Sequence, residues 1–185
     1  MRQFFQLLLL VTPQLAVAIE LSNEDLFFDA KSVSISISDQ VEDGCLPQPQ
    51  SVLNSTVAAL RGNEFIIVDP EQAPPFTPDV RVTALGYEAS QNCVVVFSVV
   101  LARNVNAIVP NSESLPETYQ RTPAVVELVI YESLLTGQRE GMQAQIEREA
   151  NNAVADLRAA VDRARNSVET NWPLLWEANS SARDD

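Results

Sequence analysis

Histidine is absent from all 185 residues. That absence removes Ser-His-Asp and Cys-His catalysis, imidazole acid–base chemistry and every histidine-containing metal site. Glycine is scarce, with five in the chain, so little backbone is free to cradle a phosphate. No Walker-type loop, GxGxxG or GxSxG pattern occurs, which leaves standard nucleotide binding and nucleophile-elbow hydrolysis unsupported. Positive charge is short as well: 12 basic residues face 25 acidic ones, a net charge of −13. Lys31 is the only lysine. An acidic chain of this kind lacks the basic face that nucleic-acid phosphates demand. No apolar run reaches the ~18 to 20 residues needed to cross a bilayer as a helix.

What is present begins with an export pattern. Arg2 supplies a positive start, Phe4 to Val11 an apolar core, and Ala16-Val17-Ala18 a small-x-small cleavage site. The expectation is a signal peptide over residues 1–18 and a mature chain from Ile19, periplasmic or secreted, with no transmembrane segment. Pro13 interrupts the apolar stretch, and no cysteine follows the cleavage site to take a lipid. Cleavage removes Arg2 and no acid, so the mature chain is one unit more negative. Cys45 and Cys93 are the only cysteines, and an even pair in an exported chain predicts one disulfide. Closing a loop of about 49 residues stabilises by on the order of 4 kcal/mol in the chain-entropy model. A redox or nucleophilic role would need a CxxC partner or a histidine, and neither exists.

Periodicity organises the rest into one α+β domain over residues 31–170, between an N-terminal segment (19–30) and a C-terminal tail (171–185). Lys31 to Ser38, KSVSISIS, alternates apolar residues and serines as a half-buried strand does. Pro47 to Leu60 carries Leu53, Val57 and Leu60 at helical spacing, with Pro49 suited to a first turn and Gly62 to a C-terminal cap. Glu64 to Asp69 reads as a short strand, and the prolines of Pro70 to Pro78 end it. Val80 to Glu88 and Asn92 to Ala102 form a predicted hairpin across Ala89-Ser90-Gln91. The second of these strands is apolar on both sides, which predicts a central position. Asn104 to Pro123 reads as a long polar loop and Ala124 to Ser133 as the last strand.

A stripe of Met142, Ile146, Ala150, Val154, Leu157, Val161, Ala164 and Val168 predicts a long helix starting at Thr136 or Gly137. Thirty helical residues extend about 45 Å against about 30 Å for a nine-residue strand. The helix is therefore expected to overhang the sheet, bend, or pack on another chain as a homodimer. The fold expected is a single sheet of about five strands, mostly antiparallel, with one short and one long C-terminal helix on one face.

The tail segment NWPLLW concentrates Trp172, Leu174, Leu175 and Trp176, either folded back on the core or exposed as an interaction surface. Glu88, Glu127 and Glu132 sit in or near strands, where two could converge as a carboxylate pair for glycoside hydrolysis or cation binding. Asp39 to Gly44, DQVEDG, is acidic but lacks the alternating order of a calcium loop. Asn54 and Asn179 head sequons, a short pattern on which nothing rests. No catalytic, cofactor-binding or metal-ligating set emerges.

The order strand, helix, strand, hairpin, strand, long helix, carried by SVSISIS, NCVVVFSVVLA and AVVELVIYESLLTG, resembles the small α/β domains of envelope-assembly proteins. The TolB N-terminal domain and the curli-secretion lipoprotein family are examples. The resemblance covers roughly Lys31 to Val168 and implies a binding or assembly role rather than catalysis. This sequence differs in lacking a lipidated cysteine after the signal and a following propeller. The expected function is thus an exported, non-enzymatic protein-binding or envelope-assembly module whose partner is another envelope or secreted protein. The alternatives are a carboxylate-based hydrolase or enzyme inhibitor, and a small-ligand or cation binder.

Overall fold

The computed structural model describes residues 22, 24–41, 44–108 and 121–181. The expected signal peptide lies outside these residues, as does most of the expected loop between the last two strands. A 3-10 turn at Asp25–Phe27 is followed by β1 (Ser32–Val41), α1 (Pro49–Gly62), β2 (Ile66–Ile67), β3 (Asp79–Ala89), β4 (Asn92–Ile108), β5 (Arg121–Gln138), α2 (Arg139–Asn171) and α3 (Pro173–Ser181). The strands form one five-stranded sheet in the order β2-β1-β3-β4-β5. β1 runs parallel to β2 and β3, while β3, β4 and β5 are antiparallel neighbours. The α+β class, the single sheet and the two helices are as the periodicity predicts.

Alternation along the strands decides where the core sits. Val33 of β1, Val80, Val82 and Ala84 of β3, and Val95, Phe97, Val99 and Leu101 of β4 point to one face and are buried. Against them pack Val52 and Leu60 of α1 and the apolar stripe of α2 from Met142 to Val161, while Ala164 and Val168 at its end are buried in a separate small cluster with Phe28. Each fully buried Leu, Val or Phe contributes about 1.5–3 kcal/mol of transfer free energy, so this inner face holds most of the apolar stabilisation. Polar clasps align the layers. Ser51 donates to Glu147 at 2.7 Å, and Gln143 both donates to and accepts from the Gln48 backbone, fixing α1 along α2. Tyr131 of β5 donates to Glu149 of α2 at 2.5 Å.

Several boundaries depart from the sequence expectation. β4 runs on to Ile108 and β5 begins at Arg121, with Ile108 opposite Arg121 in register; part of the expected loop is therefore strand. Asn104 and Asn106 pair with residues of β5 despite their polarity, because the neighbouring ladder extends over them. The strands are about 58–60 Å long at 3.3–3.4 Å per residue and α2 is about 50 Å. The helix is matched by the hairpin rather than overhanging it. α2 starts at Arg139, since Thr136 and Gly137 still pair with Val94 and Cys93. Gly62 is the last helical residue and Asn63 caps, with the positive φ of 66° falling on Glu64.

The β3–β4 turn is the two-residue Ser90-Gln91, both with positive φ, the twist that a tight hairpin requires. Cys45, just after the turn at Gly44, is joined to Cys93 at the start of β4 with a Cα–Cα distance of 5.8 Å. The expected disulfide is thus formed, and it anchors the acidic turn after β1 to the hairpin. At the other end of β4, Arg103 donates to both carboxylate oxygens of Asp29, to Leu26 O and to Phe76 O. One guanidinium therefore ties the N-terminal segment, the proline-rich loop and the sheet together.

Candidate interaction surface

The same alternation that buries one face of the sheet leaves the other without a covering layer among the described residues. Near β1 this open face is built of Ser34, Ser36 and Ser38, as a solvated face should be. On the other strands it is not polar throughout. Leu85 of β3 is the register partner of Val96 of β4, and Val96 is the partner of Leu134 of β5. Three apolar side chains thus form one row across three strands. Tyr87, opposite Val94, stands beside the row on the hairpin side. Leu85, Tyr87, Val96 and Leu134 are 51%, 52%, 41% and 64% exposed. The first three, with Gln40, Gly86 and Val94, line a shallow recess of about 510 Å³.

Gly86 shapes this recess. A Cβ there would lie 2.4 Å from the Val94 carbonyl oxygen and 2.9 Å from the Val95 Cα, so β3 and β4 approach each other more closely than a side chain would allow. The next row along the face is polar, with Thr83, Ser98 and Glu132 in register. Beyond it Arg81 bridges Asp79 at 3.2 Å and Glu127 at 2.7 Å, while Ser34 and Ser36 also donate to Asp79. The arrangement is an apolar row flanked by polar and net acidic side chains, with exposed Val129, opposite Val100, and Val125, opposite Asn104, further along β5. Such an arrangement suits recognition of another macromolecule, since an apolar centre with a polar rim is the anatomy of protein interfaces.

The tail residues singled out from sequence divide between core and solvent. Trp172 and Trp176 are half-buried and pack on a small cluster of Phe28, Ala164 and Val168, with the Phe28 and Trp176 rings 6.3 Å apart. Leu174 points outward at 81% exposure, and Leu175 is at the margin. Leu85, Tyr87 and Leu134 are not singled out by sequence reasoning. A signal exists, because β4 is apolar on both sides; that pattern predicts a strand covered on both faces, whereas here one apolar face is open.

The three strand carboxylates do not converge. Glu88 pairs with Arg139 at the start of α2, on the helix side. Glu127 and Glu132 share the open face but stand about 17 Å apart along β5 at 3.4 Å per residue. That separation is well beyond the roughly 5–9.5 Å of a glycosidase pair. The perturbed acids are structural. Hydrogen bonds from Gln143 and Ser51 hold Glu147 below its usual carboxylate range, and those from Tyr131 and Asn152 do the same for Glu149. Burial pushes Asp25 up, but hydrogen bonds from Ser167 and Ser22 outweigh it and leave the group below its ordinary value. Of the acidic stretch Asp39 to Gly44, expected as a turn, Asp39 lies within β1 and accepts from the Val41 amide at 3.0 Å, and residues 42 and 43 lie outside the described residues. No group of three or more acidic or sulfur side chains placed to hold a metal ion occurs among the described residues.

No family model and no curated protein matches the sequence. Among solved structures, a PelC dodecamer from Paraburkholderia phytofirmans, carrying a single substitution, is similar at 15% identity and a TM-score of 0.41, covering 70% of this chain and 86% of that one. A minor lipoprotein from Acinetobacter baumannii aligns at 8% identity and a TM-score of 0.24, covering 77% and 95%. A putative neuraminyllactose-binding hemagglutinin homolog from Helicobacter pylori aligns at 13% identity and a TM-score of 0.29, covering 83% and 91%. No residue role is carried over from any of them. No described helix is long and apolar enough to cross a membrane.

Proposed function

We propose that this chain is an exported, non-enzymatic protein-binding or envelope-assembly module that engages its partner through the open face of its sheet. The observation that carries the reading is the row Leu85–Val96–Leu134 with Tyr87 beside it, apolar and uncovered on a face whose other side chains are serines, charges and, further along β5, the exposed Val125 and Val129. Leaving such side chains in water forgoes their transfer free energy, about 25 cal/mol for each Å² of apolar surface left exposed. A partner that covers them recovers it. The formed Cys45–Cys93 bridge supports a periplasmic or secreted location, where disulfides persist. A second contact surface is offered by α3, because Leu174 is 81% exposed beside the half-buried tryptophans.

Two double variants of the mature chain separate the surfaces. Leu85→Ser with Leu134→Ser is expected to abolish recovery of the native partner from envelope extracts, while Leu174→Ser with Leu175→Ser leaves it intact. The opposite pattern transfers the role to the tail. If neither pair changes the recovery, or no partner is recovered by the parent chain, the binding reading fails.

A further inference from the structure

We infer that the segment received by the open face is a cationic amphipathic stretch of a partner protein, one that places apolar side chains on Leu85, Val96 and Leu134 and basic side chains outside them. The inference rests on the reading of that face as the contact surface, and the charge around the patch supports it. Among the described side chains of the open face, Asp79, Glu127 and Glu132 face one guanidinium, that of Arg81, which already bridges Asp79 and Glu127. Glu132 has no ion pair among the described residues and lies two residues from Leu134 on the same strand. On the opposite margin the neutral side chain of Gln40 borders the recess and leaves no competing cation there among the recess-lining residues. The whole chain carries −13, so its field also favours a basic approach and speeds association.

Charge argues against a second copy as the occupant. A second copy would bring its own Glu132 and its own net negative charge to the contact. The row spans two strand spacings, about 10 Å, which admits one extended segment or one face of a helix.

Three synthetic peptides test this against the full mature chain: alternating Leu and Lys, alternating Leu and Glu, and alternating Ser and Lys, with backbone amide NMR shifts as the readout. The Leu/Lys peptide is expected to shift residues around Leu85, Tyr87, Val94, Val96 and Leu134. Its affinity should fall at least about tenfold in Leu85→Ser with Leu134→Ser, the loss expected when about 1.4 kcal/mol or more of apolar contact goes. Glu132→Gln, a surface change that leaves the patch itself in place, should weaken it several-fold and reduce its dependence on salt. Equal binding of the Ser/Lys peptide, or shifts confined to other parts of the surface, overturns the inference by showing that the apolar row is not used. Equal binding of the Leu/Glu peptide overturns the cationic assignment alone. Loss of the native partner in the double variant, together with no binding of the Leu/Lys peptide, likewise leaves the docking face standing and removes the basic partner. Self-association through this face without peptide overturns the charge argument and with it the inference.

Discussion

Leu85 and Val96 stand directly opposite each other on β3 and β4, side by side on the face that none of the described helices covers. One residue along each strand, Ala84 and Phe97 form the equivalent pair on the other face and are fully buried. The hairpin is therefore apolar on both sides, while only one side is enclosed by the described helices. Sheet pleat alone accounts for the division. The proposed contact lies on the side that is left open.

If that face is for contact and not for folding, its side chains should be nearly silent in stability. Leu85→Ser and Leu134→Ser are each expected to change unfolding free energy by less than about 1 kcal/mol, as exposed positions do. Leu101→Ala on the enclosed face of β4 should cost about 2–5 kcal/mol. Urea unfolding of the three variants checks the contrast; equal losses at all three sites would mean that the open face is covered in solution.

The disulfide predicts a large effect of a different kind. Cys45→Ser with Cys93→Ser removes a bridge across a sequence separation of 48 residues and should lower stability by about 4 kcal/mol. Both cysteines are buried in the core cluster shared by β3, β4 and α2, but the remaining apolar members of that cluster are untouched, so the variant is expected to keep its far-ultraviolet circular dichroism at low temperature. Its urea midpoint should shift while the secondary structure remains.

Gly86→Ala places a Cβ against the Val94 carbonyl and the Val95 backbone, atoms that cannot swing aside. The strands must separate locally, and a destabilisation of about 1–3 kcal/mol is expected from overpacking. Thermal unfolding measures it. A neutral result would show that the close approach of β3 and β4 relaxes in solution.

The Tyr131–Glu149 hydrogen bond gives stability a pH dependence with two signs. Glu149 is held below its ordinary value of 4.5, by Tyr131 first and Asn152 second. Its contribution is present above pH 4.5 and lost as the pH falls through the lowered value. Tyr131 is raised above its ordinary 10.0, by the same hydrogen bond first and burial second. Its contribution is present below pH 10.0 and lost as the pH rises through the raised value. Tyr131→Phe should therefore shrink the acid-side loss and abolish the alkaline contribution, measured as the urea midpoint against pH. Unchanged slopes in the variant would show that the bond is not populated.

The legible parts of this fold are those where one residue period dominates. SVSISIS alternates without exception, and the stripe from Met142 to Val168 keeps helical spacing for more than six turns, so the types of β1 and α2 are plain in the sequence. The ends of β4 and β5 are not, because Asn104, Asn106 and Pro123 are poor strand formers held in register by a ladder already built from Cys93 onward. The disulfide is legible from the cysteine count and the export pattern. The contact surface is not, since Val94 and Val96 look the same in sequence whether a helix covers them or nothing does. Trp172 and Trp176 stand out by their size, yet they are half-buried against Phe28 and Val168.

The most direct test is a photo-crosslinking side chain placed in turn at Leu134, at Leu174 and at Arg148 on the solvent side of α2, in the chain made by its own host. Crosslinks to one partner from position 134, absent at 148 and abolished by Leu85→Ser, are the predicted result. Crosslinks from position 174 alone, or from 134 undiminished by Leu85→Ser, would contradict the claim that the open sheet face is the contact surface.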